Sequence, residues 1–145
     1  MIALLQRVAE ARVSIAGETV GAIGRGLLVF IGVQPMDTEA NAMRLIERCL
    51  GYRVFPDDTG RMNLALRDIA GGLLLVPQFT LAADTRKGTR ASFTSAADPE
   101  LGARLFAVCQ TLAARQHGDV ASGRFGADMQ VALINDGPVT FWLEA

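Results

Sequence analysis

The chain has 145 residues, 50% of them hydrophobic, and a formal net charge of −1. This length fits one compact domain with a real core, and the apolar content excludes an intrinsically disordered chain. The small negative charge gives no support to a nucleic-acid partner over the whole surface, although it is compatible with a local basic patch.

No apolar run is long enough to span a bilayer. The N-terminal stretch carries Gln6, Arg7 and Glu10 where a signal peptide would stay apolar, so we expect a strand of the mature protein there. A soluble, cytoplasmic protein without membrane contact is predicted. Cys49 and Cys109 fall on the apolar stripes of predicted helices and are interpreted as core residues. No further Cys or His stands at metal-ligand spacing, and neither a metal nor a cofactor is expected.

The first half of the chain alternates apolar runs with turns. Strands are predicted at Ile2–Val8, Arg12–Ile15, Thr19–Ile23, Leu27–Val33, Tyr52–Phe55 and Gly72–Val76. A helix begins at a cap formed by Asp37 or Thr38 and ends at Gly51. Its predicted buried face consists of Ala42, Leu45, Ile46, Cys49 and Leu50. The segment GAIGRG lies between two strands and not before a helix, so it is predicted to be a turn and not a phosphate loop.

The second half contains one more long helix and three short strands. Asp98 and Pro99 predict the start of the helix, whose apolar stripe ends near His117. That stripe consists of Leu101, Leu105, Val108 and Leu112. The strands are predicted at Val120–Ser122, Met129–Asn135 and Val139–Glu144. Many short strands with two segregated helices predict a single α+β domain over residues 1–145, with a mostly antiparallel sheet or partly open barrel.

Catalytic side chains are scarce. The only histidine, His117, stands at a helix end, and no pair of carboxylates is apparent. The one dense polar stretch runs from Val76 to Phe93 and includes a basic loop. The cations of this loop are Arg86, Lys87 and Arg90. Two interpretations stay open: a solvated charged loop, or a pocket with backbone N–H groups aimed at a ligand and cations suited to phosphates.

A second unusual segment, Asn135-Asp136-Gly137-Pro138, separates the last two predicted strands. Asn-Asp-Gly alone would be an ordinary hairpin turn. Pro138 removes a backbone donor where the second strand should begin, and it permits a cis peptide bond.

The sequence resembles the D-aminoacyl-tRNA deacylases over essentially its whole length. The resemblance is carried by LLQRVAEARV, GLLVFIGV, RVFPDDTGRMNLAL, QFTLAADTRKGTR and SGRFGADMQVALINDGPVTFWLEA. It implies a homodimer that hydrolyses the ester of a D-amino acid at the 3′ end of tRNA, with active sites at the subunit interface. The Gly137–Pro138 bond would be cis and would reach into the partner's site. There it would reject L side chains by clash, while glycyl-tRNA could be accepted.

The resemblance also implies roles for single residues. The main chain of the Gln78-Phe79-Thr80 element would hold the ester, with the N–H groups of Phe79 and Thr80 facing its carbonyl oxygen. Arg7 would steady the Gly-Pro orientation, unless it is an arginine reaching to solvent at a strand edge. Two residues would line the pocket of the terminal adenosine, although core packing explains them as well: Phe125 and Met129. Three cations would contact tRNA phosphates: Arg86, Lys87 and Arg90.

Two departures from the family pattern bear on mechanism. Many relatives have serine before Gln-Phe-Thr, where this chain has Pro77, and Ala91 replaces a common proline. A mechanism that needs the serine hydroxyl cannot operate here. A Thr80 nucleophile stays possible but would need a base that the sequence does not supply. Substrate-assisted hydrolysis by the 2′-hydroxyl of the terminal ribose is therefore favoured. The competing hypothesis is a non-catalytic dimer that binds RNA ends or amino-acid-like ligands.

Overall fold

The structure is a computed structural model that describes all residues from 1 to 145. Its strands are β1 (Ile2–Ile15), β2 (Glu18–Ile23), β3 (Gly26–Gly32), β4 (Phe55–Pro56), β5 (Met62–Leu64), β6 (Gly72–Pro77), β7 (Val120–Ser122) and β8 (Gln130–Glu144). Its helices are α1 (Glu39–Gly51), α2 (Leu66–Ile69) and α3 (Pro99–Gln116), and a 3₁₀ turn spans Phe79–Ala82. The predicted α+β class with two main helices is confirmed.

The main sheet has six strands and is mixed. β1 pairs antiparallel with β2, β3 and β8, whereas β3–β6 and β6–β7 are parallel pairs. Gly21 of β2 approaches β7 so closely that an added Cβ would lie 2.9 Å from the carbonyl oxygen of Ser122. The sheet therefore curls into a nearly closed barrel, in which glycine at this position permits the close approach.

Strand β1 is longer than predicted. One continuous strand replaces the predicted pair Ile2–Val8 and Arg12–Ile15, because both halves find partners on both edges. Gln6 faces Leu28 of β3 on one edge and Thr140 of β8 on the other. The long β1 acts as the common template for three other strands.

The prediction of two separate strands at the end of the chain was wrong. Residues 130–144 form the single strand β8, which runs antiparallel to β1 along its length. Gln6 pairs with Thr140 and Val8 pairs with Asn135, so Asp136–Val139 stand opposite Arg7 alone. The segment is a large β-bulge, not a hairpin. We call Asp136–Val139 the bulge. The strand predicted at Tyr52–Phe55 was also misplaced, since only Phe55–Pro56 are paired.

Both long helices begin as their caps predicted. Thr38 precedes α1, and its backbone N–H donates to Asn41 Oδ1 at 2.9 Å. Asp98 precedes α3 and accepts a hydrogen bond from the Leu101 N–H at 2.9 Å. The predicted buried face of α1 is confirmed in full. In α3 the stripe was partly wrong, because the buried residues are Gly102, Leu105, Phe106, Cys109 and Ala113.

The core has two layers on either side of β3 and β6. Leu27 and Leu73 pack toward α1 and α3, whereas Leu28 and Leu74 pack inside the barrel. Burial on both faces explains why these strands are continuous apolar runs in the sequence. No helix of the fold is both long and apolar enough to span a membrane. At the end of β6 the chain leaves this core, and the candidate site begins there.

Candidate functional site

A cleft of about 460 Å³ opens at the C-terminal end of β6. Its walls come from the end of β6, the 3₁₀ turn, the start of α3 and the segment before β8. Eleven residues line it: Val76, Pro77, Gln78, Phe79, Ala97, Pro99, Phe125, Gly126, Ala127, Met129 and Val131. None of them carries an ionisable side chain, so the cleft offers shape, apolar surface and main-chain hydrogen bonds.

The floor of the cleft is the 3₁₀ turn, which continues directly from β6. The Gln78 N–H donates to the Ile31 carbonyl at 2.8 Å and so prolongs the pairing with β3. Gly32 lies beneath the turn, and an added Cβ there would come within 3.0 Å of Leu81 Cβ. Glycine at this position therefore leaves room for the turn to lie close to the sheet. The Gln-Phe-Thr element is thus placed by the sheet itself.

The 3₁₀ turn leaves two backbone donors free of its own internal bonding. Its first internal hydrogen bond runs from the Leu81 N–H to the Gln78 carbonyl at 3.2 Å. The N–H groups of Phe79 and Thr80 precede that bond, and the first donors of a helical turn have no partner within it. These are the two groups for which the family resemblance implied contact with an ester carbonyl.

Thr80 itself does not line the cleft, and it has no base beside it. Its hydroxyl accepts a hydrogen bond from Gln78 Nε2 at 2.5 Å, and a carboxamide cannot remove a proton. Its side chain is exposed. The side chain hydrogen-bonded to Thr80 within this chain is therefore one that cannot activate it.

Phe125 and Met129 lie on the opposite wall, where core packing and a position in the cleft are combined. Both are half-buried, pack against core clusters and line the cleft. Phe125 rests on α3 at Gly102, where an added Cβ would lie 3.0 Å from the ring. Met129 Sδ accepts a hydrogen bond from the Arg124 N–H at 3.4 Å. Core packing thus fixes the two side chains that form this wall.

Arg7 and the bulge form a second cluster, separate from the cleft. The Arg7 Nε donates to the Asp136 carbonyl at 3.1 Å and lies 3.1 Å from its carboxylate, while Nη1 donates to the Val54 carbonyl at 2.6 Å. An added Cβ on Gly137 would lie 2.9 Å from Arg7 Nη2. The Arg7 side chain is only 11% exposed, so it is not an arginine reaching to solvent.

Asn135 holds together the two ends of the bulge by hydrogen bonds. Its Nδ2 donates to the Arg7 carbonyl and to the Val139 carbonyl, both at 3.0 Å. The Gly137–Pro138 peptide bond is cis, and Gly137 has a φ of +127°. Asp136, Gly137 and Pro138 are all exposed. The bulge therefore projects from the sheet as a clamped backbone loop.

Sequence reasoning did not find two of the contacts that hold the bulge. Asn135 could have been suspected, since it directly precedes Asp-Gly-Pro and its amide can bridge backbone groups. The Val54 carbonyl leaves no signal in the sequence because a backbone acceptor is the same at every position. Within one chain, neither Arg7, Gly137 nor Pro138 lines the cleft.

The basic loop is a small hairpin. Asp84 and Ser92 exchange two backbone hydrogen bonds, of 2.8 and 3.0 Å, and close it. The Arg86 guanidinium donates two hydrogen bonds to the Asp84 carboxylate, at 2.9 and 2.7 Å. These hydrogen bonds hold the pKa of Asp84 well below its usual range. Lys87 and Arg90 are exposed and form no ion pair. Of the three predicted phosphate contacts, Arg86 thus has its charge already matched.

The other reactive side chains lie away from the cleft. Burial raises the pKa of the Cys49 and Cys109 thiols to about 12, so both stay protonated in the core. The Nε2 atom of His117 lies 2.6 Å from the Gly71 carbonyl, at the opposite end of β6 from the cleft. No group of three or more His, Cys, Asp or Glu side chains is arranged to hold a metal ion.

Comparison with known proteins matches the sequence of this chain to one family. The profile of the family described as D-Tyr-tRNA(Tyr) deacylase matches residues 4–144. The chain is 69% identical over 144 residues to a D-aminoacyl-tRNA deacylase of Thioalkalivibrio sulfidiphilus, covering 99% of this chain and 97% of that protein. It is 67% identical over 145 residues to a D-aminoacyl-tRNA deacylase of Alkalilimnicola ehrlichii, covering 100% and 97%.

Two solved structures share the fold. The c-Myc DNA Unwinding Element Binding Protein superposes with a TM-score of 0.95 at 34% identity, over 100% of this chain and 99% of that one. A probable eukaryotic D-amino acid tRNA deacylase superposes with a TM-score of 0.84 at 19% identity, over 99% of this chain and 98% of that one. The second likeness concerns the fold alone.

Proposed function

Because this chain belongs to the D-Tyr-tRNA(Tyr) deacylase family, we propose that it hydrolyses the ester that joins a D-amino acid to the 3′ end of tRNA. The products are free tRNA and the D-amino acid. The observation that carries the proposal is a cleft without any ionisable side chain, with the backbone donors of Phe79, which lines it, and of the adjacent Thr80 at the start of the 3₁₀ turn. Such a cleft suits an activated ester, which needs oxyanion stabilisation more than a strong nucleophile.

The terminal adenosine binds in the apolar cleft. A volume of about 460 Å³ is in the range of small-molecule sites and suits a nucleoside. Phe125 and Met129 supply apolar surface for the base, and the main chain of Phe79 and Thr80 holds the ester carbonyl. Preorganised donors of this kind stabilise the tetrahedral intermediate by several kcal/mol, about 3 kcal/mol per donor.

Two chains are required to complete the site. Gly137 and Pro138 are exposed and do not line the cleft of their own chain. β8 pairs only with β1, and it exposes Ile134 and Trp142 to 55% and 49%. A free strand edge with apolar side chains is suited to pairing with a second copy. In the proposed homodimer, the bulge of each subunit enters the cleft of the other.

The bulge selects the enantiomer. The carbonyl groups of Gly137 and Pro138 bind the α-ammonium of the substrate, and the glycine lets the backbone come close because it has no Cβ. With the ammonium and the ester both fixed, a D side chain points to open space, whereas an L side chain meets the bulge. Glycine has no side chain to reject, so glycyl-tRNA is hydrolysed as well. Hydrogen bonds from Arg7 and Asn135 keep the bulge in place.

The substrate supplies the catalytic hydroxyl. Water adds its oxygen to the acyl carbon, the bond from that carbon to the 3′ oxygen breaks, and the water proton ends on the 3′ oxygen. The 2′-hydroxyl next to the ester relays this proton, because no protein base faces the cleft. Lys87 and Arg90 contact phosphates of the acceptor end, and the reaction takes place in the cytoplasm.

Replacing Thr80 by alanine is expected to leave most of the activity. The change removes only the hydroxyl bound to Gln78, and the Thr80 N–H stays in place. The rate should fall about 10-fold or less, in the range of one lost hydrogen bond. The measurement is single-turnover hydrolysis of D-tyrosyl-tRNA. Thr85→Ala, at an exposed threonine of the basic loop, is the matched control. A loss of several orders of magnitude for Thr80→Ala alone would establish a threonine nucleophile instead.

The proposed function is tested with the purified protein and two substrates, D-tyrosyl-tRNA and L-tyrosyl-tRNA, side by side. We expect rapid loss of the D ester, while the L ester decays at its spontaneous rate. Equal and slow loss of both esters would overturn the proposal and favour a non-catalytic binding module.

A further inference from the structure

Two aromatic rings stand together on the surface beside the cleft. The ring centroids of Phe79 and Phe93 are 5.1 Å apart and the planes are tilted by 52°. Phe79 is 55% exposed and Phe93 is 47% exposed. Single exposed apolar side chains are common, but a contacting pair of half-exposed rings next to a binding cleft marks a surface for a flat ligand.

The position of the pair connects the cleft to the basic loop. Phe79 lines the cleft, while Phe93 directly follows Ser92, which closes the loop by pairing with Asp84. A ligand that leaves the cleft over Phe79 therefore meets Phe93 next and the loop after it. A single-stranded nucleic acid carries its bases on one side and its phosphates on the other. Its bases could therefore contact the aromatic rings while its phosphates face the basic loop.

We propose that Phe93 is the stacking site for the base of the nucleotide that precedes the terminal adenosine. The proposal rests on the proposed function, because it assumes that the terminal adenosine occupies the cleft. A flat base can lie face-on against only one of two rings tilted by 52°, and Phe79 already belongs to the wall of the cleft. The neighbouring base is thus assigned to Phe93. Stacking on an aromatic side chain tolerates any base.

The charges of the loop fit a phosphate beside that base. Lys87 and Arg90 are exposed and have no acidic partner, whereas Arg86 is held by Asp84. The loop carries one carboxylate and three cations, so it presents a local positive surface on a chain whose net charge is −1. A phosphate that links the last two nucleotides is attracted to this surface. Aromatic stacking next to cations is the usual arrangement in single-strand binding.

The test compares two stable ligands that differ by one nucleotide. The first is adenosine with D-tyrosine joined to its 3′ position by an amide, and the second carries an additional 5′ cytidylyl residue. The wild-type protein is expected to bind the longer ligand about 5- to 100-fold more tightly, the range for one stacked base. Phe93→Ala should lose most of this gain and keep the affinity for the shorter ligand.

Two further variants separate stacking from general apolar contact. Phe93→Leu keeps an apolar side chain but has no flat face, so it should also lose the gain. Met62→Ala removes another large hydrophobic side chain of similar exposure, 48%, on β5, and should change neither affinity. The oligomeric state of each variant is measured by light scattering.

Three results would overturn the stacking site. The first is equal wild-type affinity for both ligands, and the second is an equal loss for both ligands in Phe93→Ala. The third is dissociation of a dimer by Phe93→Ala, which would assign the ring to a subunit interface. If the wild-type protein hydrolyses D-tyrosyl-tRNA but gains nothing from the cytidylyl residue, only the stacking site fails. If it neither hydrolyses the ester nor binds either ligand, the proposed function fails as well.

Discussion

Replacing Gly137 by alanine is expected to slow the hydrolysis of D-tyrosyl-tRNA by about 100-fold or more. The reason is steric: an added Cβ would lie 2.7 Å from Val139 Cγ2 and 2.9 Å from Arg7 Nη2. Gly137 also has a φ of +127°, which L residues rarely adopt. Either the bulge or the Arg7 side chain that holds it must therefore shift, and a displacement of about 1 Å at a positioning element costs about 100-fold in rate. Single-turnover hydrolysis measures the effect.

The control for this variant is Gly17→Ala in the turn between β1 and β2. Gly17 also has a positive φ, of +84°, but an added Cβ there meets nothing within 4 Å. Both variants place an L residue at a positive φ, and only Gly137→Ala adds a clash. Gly17→Ala should lower the melting temperature slightly and keep full activity. If both variants were equally active, the bulge would have no part in the reaction.

Removing the 2′-hydroxyl of the terminal ribose is expected to slow enzymatic hydrolysis by about 10²- to 10⁴-fold, the usual contribution of a positioned proton-transfer group. The physical reason is that none of the eleven residues lining the cleft can accept a proton. The substrate is D-tyrosyl-tRNA that ends in 2′-deoxyadenosine, with the amino acid on the 3′ oxygen. The quantity to compare is the ratio of enzymatic to spontaneous rate for each substrate.

Binding must be separated from chemistry in that experiment. Saturating enzyme gives the chemical step alone, and the concentration dependence gives the affinity. The deoxy substrate should bind with similar affinity and react slowly. An unchanged rate at saturation would contradict the substrate-assisted mechanism and would require a protein group as the proton carrier.

The sequence predicted the helices more accurately than the last strand, because helix signals are local. The caps at Thr38 and Asp98 and the buried face of α1 depend on residues a few positions apart, which a sequence displays directly. The bulge depends on a partner more than a hundred residues away, since β1 offers one continuous edge to both halves of β8. Asn-Asp-Gly has the composition of a hairpin turn, but the pairing with β1 prevents the chain from reversing there.

Some features of the candidate site could be predicted from the sequence, and others could not. Gln78, Phe79, Phe125 and Met129 line one cleft, although they are widely separated in sequence. The exposed pair of Phe79 and Phe93 could not be predicted, because the basic loop that separates them folds back only when Asp84 pairs with Ser92. The Val54 carbonyl that holds Arg7 is likewise a feature of tertiary structure alone.

The bulge is a backbone structure, and this has an evolutionary consequence. Most point mutations change a side chain and leave main-chain atoms in place, so the enantiomer selection proposed for the bulge carbonyl groups would be insensitive to most single substitutions. The exceptions are the few positions that shape the loop, such as Gly137 itself and the clamping Arg7 and Asn135. The proposed selection of the enantiomer should therefore persist even as the surrounding surface diverges.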